Sequence, residues 1–290
     1  KERNLMVIAV DRDKNYLAPD NVITSMLKDV GRGVYEVGKM VATDTFEGGE
    51  YRYGVKEGGI GFSTTGDLCP PEVFATAESL KQMIIDGSLM VPKTLDEFDA
   101  FTAPDLGDMA AGGEMAFVED LSFAMVTDEA GLGDEGFNDA AWEGMTQSEA
   151  EFGAEIKVVE SREQAEYVPN FSMLAEQEED LIVAVGFLLQ AAVAEVAPQY
   201  PDARFALVDT CTDEPNVACI QFKEEEGSFL VGAIAGLMTE TGKVGFVGGR
   251  ESDLLKKFES GYKAGVMTTN PNAEVLVSYT GTFADPALGK

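Results

Sequence analysis

The sequence predicts an α/β protein built on parallel sheets flanked by helices. Short β-branched or apolar runs alternate with longer amphipathic patterns along the 290 residues, the order expected when each strand is followed by a helix that returns the chain to a parallel neighbour. The hydrophobic share, 45% of the chain, is enough to bury a substantial core in one large domain or two lobes.

The first strand is LMVIAV at 5–10, and an amphipathic helix is expected over 20–42. GGIGFS at 58–63 follows as a strand, and a helix is expected over 72–86. Periodicity then fades across 102–118, where Ala, Gly and acidic residues take over. That stretch reads as a linker, spanning about 20 to 25 Å as a flexible coil. Beyond it come LSFAMVT (121–127) with a helix over 136–152, EIKVVE (155–160) with one over 162–178, and DLIVAVG (180–186) with one over 187–198. RFALVD (204–209) and VACIQF (217–222) precede a helix over 224–240, and KVGFVGG (243–249) is joined to AEVLVSY (273–279) by a helix over 252–268. No short internal repeat is visible, but two α/β halves of comparable size are.

Charge and composition exclude several function classes. With 52 acidic residues against 21 basic ones, the chain repels phosphate backbones and anionic lipid, so nucleic acid is not an expected partner. The same excess suits either a protein soluble in strong brine or an acidic secreted one. Histidine is absent, which removes Ser-His-Asp and Cys-His catalysis and the H-E-x-x-H zinc motif. Cys69, Cys211 and Cys219 form no C-x-x-C pair. Cys211 and Cys219 flank the acidic turn TDEPNVA and either close a small disulfide in an oxidising compartment or stay as thiols near strand ends. No apolar run approaches the roughly 20 residues needed to cross a bilayer, and KERNLMVIAV is too short in apolar length for a signal peptide. Any export signal or lipid-anchor cysteine is therefore expected outside this sequence, and the opening on Lys1 suggests a processed, trimmed or partial product.

Ligands of parallel α/β sheets sit beyond the carboxyl ends of the strands. Asp11, Asp13, Asp128 and Asp209 all follow strands there. Taken alone, each reads more often as a solvated loop acid or a helix N-cap. Phe137 is either a stacking face or core packing beneath its helix. Asn138 either reads a ligand edge, with both donor and acceptor to offer, or caps that helix. Lys28, in TSMLKD on the helix expected over 20–42, alone reads as a solvated side chain. KVGFVGGRESDLLKKF has a strand, glycines and a helix in the order that can cradle phosphate, but it lacks the G-x-G-x-x-G spacing and a P-loop lysine-hydroxyl pair.

Two groups of motifs carry a family resemblance. AMVTDEAGLGDEGFNDAAWEG, LIVAVGF, FALVD, NVACIQFKEEEGSFLVGAIAGLM, KVGFVGG, FESGYKAGV and SYTGTFADPALGK, within 119–290, resemble the opening two-thirds of the basic membrane protein family of ABC-transporter substrate-binding lipoproteins, whose members bind purine nucleosides. VIAVDRDKNYLAPDNVITSMLKDV through QMIIDGSLMVPKTLDEF, within 1–101, resembles that family's final third, so the chain reads as a circular permutation.

The resemblance implies a two-lobed periplasmic-binding-protein-like fold of type I. Residues 119–240 would form the first lobe, 241–290 would begin the second, and 1–101 would complete the second lobe and the hinge crossings. It implies a purine nucleoside held between lobes that close by a hinge, delivery to an ABC permease, an extracytoplasmic, lipid-anchored location, no cofactor and no covalent chemistry. By motif match, the ligand residues would be Asp128, Phe137, Asn138, Asp209, Asp11, Lys28 and Phe283, with Gly186 and Phe187 on a cleft-edge loop. Carboxylates suit ribose hydroxyls and ring N–H groups, and an aromatic face stacks a base for roughly 1 to 3 kcal/mol.

Relatives continue after SYTGTFADPALGK with a helix, a strand of GADVI type, an Ala-Gly-Gly loop and another helix before reaching the strand matched by Val7 to Val10. Loss of an interior strand leaves buried N–H and C=O groups unpaired at about 1 to 3 kcal/mol each, so that segment is expected to exist elsewhere. Two other functions fit the same residues: a nucleoside or small-molecule sensor, and a nucleoside hydrolase in which an aspartate activates water. The hydrolase is opposed by the absence of histidine and of a dense D-x-D cluster.

Overall fold

A computed structural model describes residues 5–101, 121–283 and 287–288. In chain order its elements are β1 (Val7–Asp11), β2 (Val22–Lys28), α1 (Val30–Ala42), β3 (Gly49–Tyr53), β4 (Ile60–Phe62), α2 (Pro71–Asp86), α3 (Leu95–Asp99), β5 (Ser122–Thr127), α4 (Phe137–Phe152), β6 (Glu155–Glu160), α5 (Tyr167–Glu176), β7 (Leu181–Ala184), α6 (Gln190–Val196), β8 (Phe205–Val208), β9 (Val217–Phe222), α7 (Glu224–Met238), β10 (Lys243–Gly248), α8 (Asp253–Thr269) and β11 (Glu274–Tyr279). They group into unit 1 (Lys1–Lys28, Gly54–Ala110, Lys223–Lys290) and unit 2 (Asp29–Tyr53, Ala111–Phe222). The linker expected over 102–118 lies outside the described residues.

Unit 2 is a parallel sheet of order β3-β9-β8-β7-β5-β6. Its central strands are apolar on both faces, as burial under two helix layers requires. Ala124 and Val126 of β5, Ile182 and Ala184 of β7 and Phe205 and Leu207 of β8 pack with Phe171 and Leu174 of α5 and Val193 and Val196 of α6. On the other face α1 and α4 pair with each other, α1 against β8 and β9, α4 against β5 and β6. Their approach is backbone to backbone, since a Cβ on Gly144 would lie 2.2 Å from the Gly31 carbonyl oxygen. That contact fixes the height of α4 over the sheet, and α4 carries Phe137 and Asn138 at its first turn.

Unit 1 holds two sheets that share no ladder among the described residues: β1-β2-β4, with β4 antiparallel, and the parallel pair β10-β11. Helix α7 packs against β2, β4 and α8, while α8 packs against β10. Each of β1 and β10 has one paired side, and Val7, Val10, Val247 and Leu276 are exposed.

The structure corrects the helix expected over 20–42. Residues 22–28 form β2, and the helix begins only at Val30, with Asp29 accepting from the Arg32 N–H at 2.9 Å. Strand β2 (VITSMLK) is buried at nearly every position between β1 and β4, and a strand buried on both faces shows no period of two to set it apart from a buried helix segment. Lys28, expected on a helix, is the last residue of this strand. Strand β3 and the short α3 were not anticipated. Strand β3 is a short edge strand in which exposed Glu50 and Arg52 alternate with only two half-buried tyrosines, Tyr51 and Tyr53, so its pattern is brief.

Candidate functional site

In unit 2, β6 lies on one side of β5 and β7 on the other, so the strand order reverses beside β5. Such a switch point opens a crevice at the strand carboxyl ends. Asp128 follows β5, Gly186 follows β7 by two residues, and Asp209 follows β8, so three expected site residues share one edge of the sheet.

Asp134 caps α4: its carboxylate accepts from Gly136 and Asn138 N–H at 2.9 Å and from Asp139 N–H at 3.2 Å. Asp139 in return accepts from Gly133 and Glu135 N–H at 2.8 and 2.9 Å. The capping role left open for Asn138 is therefore filled by Asp134, and the buried Asn138 side chain turns to Asp128, donating Nδ2 to Oδ1 at 3.2 Å. Asn138 Oδ1 is buried without a hydrogen-bond partner among the described residues, as is Thr127 Oγ1 at the end of β5. The Asn138 oxygen is an acceptor and the Thr127 hydroxyl both donor and acceptor, each held out of water and costly unless a partner arrives.

Asp128 Oδ1 also accepts from Ala130 N–H at 3.1 Å. Burial pushes the Asp128 carboxyl above its usual range; the Asn138 and Ala130 donors oppose this, and Asp134 and Glu129 add to it. Oδ2 faces Gly186, at 4.0 Å from where a Cβ there would stand. That same position is 3.3 Å from Phe137 Cε1, and Gly186 has φ 108°. A glycine is needed on both counts, backbone and space. Phe137 is partly exposed. Phe187, partly buried, opens the short turn after Gly186. Asp209 is held at φ 69°, with its N–H on the Ile220 carbonyl at 2.8 Å.

The remaining candidates belong to unit 1. Asp11 ends β1 at φ 70°, with Arg12 N–H bonded across it to the Val10 carbonyl at 3.0 Å. It sits beside β2, in register with Leu27. Lys28 is 2% exposed, and its ammonium lies 3.3 Å from Glu224 Oε1 and 5.7 Å from the Phe258 ring centroid. The Glu224 contact is an ion pair without hydrogen-bond alignment. Lys257 reaches the other oxygen of Glu224 at 3.2 Å. Phe283, half exposed beyond β11, lies over Gly249. Asp13 accepts from Asn15 N–H in its own loop at 3.1 Å and from Thr65 Oγ1 of a distant segment at 2.6 Å.

Sequence reading missed the run Glu224, Glu225 and Glu226, all buried at the start of α7. Three consecutive acids opening a helix look like a solvated, dipole-favoured first turn. Here Glu226 Oε2 takes the Val55 N–H at 2.7 Å, just past the step from unit 2 to unit 1 at Tyr53 and Gly54. Burial raises the Glu225 carboxyl to about 7, with Glu224 and Glu226 adding to the shift and a backbone hydrogen bond and Lys257 opposing it.

Cys211 and Cys219 are bridged. Among the described residues no group of His, Cys, Asp or Glu is arranged to hold a metal ion, and no helix is long and apolar enough to cross a membrane.

The family described as ABC transporter substrate-binding protein PnrA-like matches residues 1–94 and 121–290. The CD4+ T-cell-stimulating antigen of Listeria monocytogenes is 41% identical over 178 residues, 59% of this chain and 50% of that protein. The ABC transporter nucleoside-binding protein BmpA of Lactococcus lactis is 34% identical over 186 residues, 62% of this chain and 53% of that protein. The chain thus spans about half the length of the curated relatives it matches. Among solved structures, a solute-binding protein of an ABC transporter system from Aeropyrum pernix K1 aligns with TM-score 0.54 and 36% identity over 58% of this chain and 50% of that one. The α/β architecture is accordingly that of periplasmic-binding-protein-like solute-binding proteins, and the chain belongs to the PnrA-like family of ABC transporter substrate-binding proteins.

Proposed function

We propose that this protein captures a purine nucleoside and delivers it to an ABC permease from an extracytoplasmic, lipid-anchored position. The observation that carries the reading is the group at the β5 switch point: a half-buried carboxylate on Asp128, an unsatisfied amide oxygen on Asn138 and a partly exposed Phe137 ring over Gly186. A purine nucleoside supplies N–H and O–H donors for the Asp128 and Asn138 oxygens and a flat face that can lie against an aromatic ring. A neutral nucleoside also suits a chain of net charge −31 better than a nucleotide. The relative named as nucleoside-binding supports the ligand class. Asp209, Phe187, Asp11, Lys28 and Phe283 are assigned to the same ligand by the family resemblance, and single-residue variants test each assignment.

The permuted order belongs to this proposal too. The two sheets of unit 1, which share no ladder among the described residues, with exposed Val7, Val10 and Val247 on strands β1 and β10, support the reading that an interior strand of the family's second lobe is supplied from elsewhere.

Isothermal titration with adenosine, guanosine, inosine and cytidine, at moderate and molar salt, tests the function. Preferential binding of the purines is expected; no binding at either salt overturns the reading. Release of free base from inosine would instead favour a hydrolase.

A further inference from the structure

We propose that the Cys211–Cys219 bridge is a positioning element that holds Asp209 in its ligand-ready conformation; this rests on the reading of Asp209 as a ligand residue. A non-glycine residue at φ 69° costs of order 1 to 3 kcal/mol and persists only where its surroundings over-determine it. The Asp209 N–H is bonded to the Ile220 carbonyl at 2.8 Å, and β8 ends one residue earlier, at Val208. The chain then leaves the sheet, to return at Val217.

The bridge closes that excursion. Cys219 is fully buried on β9, opposite Leu207 of β8, and belongs to the packed core of unit 2. Cys211, two residues beyond Asp209, is tied to it, with Cα atoms 5.0 Å apart. Gln190 of α6 adds a second tether, donating Nε2 to the Cys211 carbonyl at 2.6 Å. Asp209 therefore sits between two fixed points, the sheet on one side and a sulfur anchored in the core on the other. Without the bridge, residues 210–216 can relax the strained backbone and swing the carboxylate away from the edge it shares with Asp128 and Gly186.

The experiment compares wild type, Cys211→Ser/Cys219→Ser, Asp209→Ala and the triple variant, all by titration with inosine at a temperature where circular dichroism shows each folded. Removing the bridge is expected to weaken binding about tenfold in wild type and to add nothing in the Asp209→Ala background, because both changes then act through one group. Unchanged affinity without the bridge, or losses that simply add, overturns the proposal. Amide exchange at Asp209 gives a reading independent of ligand: faster exchange is expected in the bridge-less variant, with β7 amides unchanged. Equal protection overturns the proposal even if no nucleoside binds, whereas absence of binding with the exchange difference intact counts against the function alone.

Discussion

Asn138 and Asp128 hold each other at the carboxyl end of β5: the amide Nδ2 donates to the carboxylate at 3.2 Å, which leaves the buried Asn138 Oδ1 as an open acceptor. Because Asp134 caps α4, this pairing does not compete with helix formation. Asn138→Ala and Asp128→Ala are each expected to weaken purine nucleoside binding at least tenfold, about 1.4 kcal/mol, in titration calorimetry, with far-ultraviolet dichroism unchanged. Wild-type affinity in both variants would remove the switch-point group from the site.

Gly186 stands between Phe137 and Asp128, at φ 108°. Gly186→Ala is expected to cost about 1 to 3 kcal/mol in denaturant unfolding from backbone strain. Its methyl group, 3.3 Å from Phe137 Cε1, also crowds the ring. Purine affinity should therefore fall, while Phe137→Ala in the Gly186→Ala background should show little additional loss.

Glu225 makes stability depend on pH. Its carboxyl is raised to about 7 when folded, from an ordinary value of 4.5, so the folded state binds more protons between these values and stability falls as pH rises through that window. Glu225→Gln removes the penalty. Above pH 7 it is expected to be more stable than wild type by up to about 3 kcal/mol, and below about pH 4 the difference should vanish. Thermal melts across pH 4 to 8 read this directly, and parallel curves for the two proteins would show that Glu225 does not titrate in the window.

Lys28 neutralises Glu224 where both are almost wholly buried. Lys28→Met leaves that carboxylate to Lys257 alone and is expected to destabilise unit 1 by about 3 kcal/mol, while Lys28→Met/Glu224→Gln recovers most of the loss. Urea unfolding of the two variants distinguishes a broken pair from lost packing: equal stability would mean that the charge is not the cause.

Strands β5 to β11 were legible because their apolar runs are short, β-branched and bounded by turn residues, and the helices between them show one-sided periodicity. Asp128 and Asp209 were legible for a related reason: each is the first polar residue after a strand. By contrast, VITSMLK was read as helix, because a strand buried on both faces carries no period of two; only its pairing with β1 and β4 made it β2. The sequence left Cys211 and Cys219 either bridged or free, and the alignment of β8 with β9 brought them together. The burial of Glu224, Glu225 and Glu226 was likewise invisible locally, since their partners Lys28, Val55 and Lys257 come from three distant segments. Local pattern thus determined strands β5 to β11, the helices between them and the candidate acids of this protein. Tertiary structure alone decided which acids are buried and what neutralises them, because desolvation and ion pairing depend on neighbours that the chain supplies only after folding.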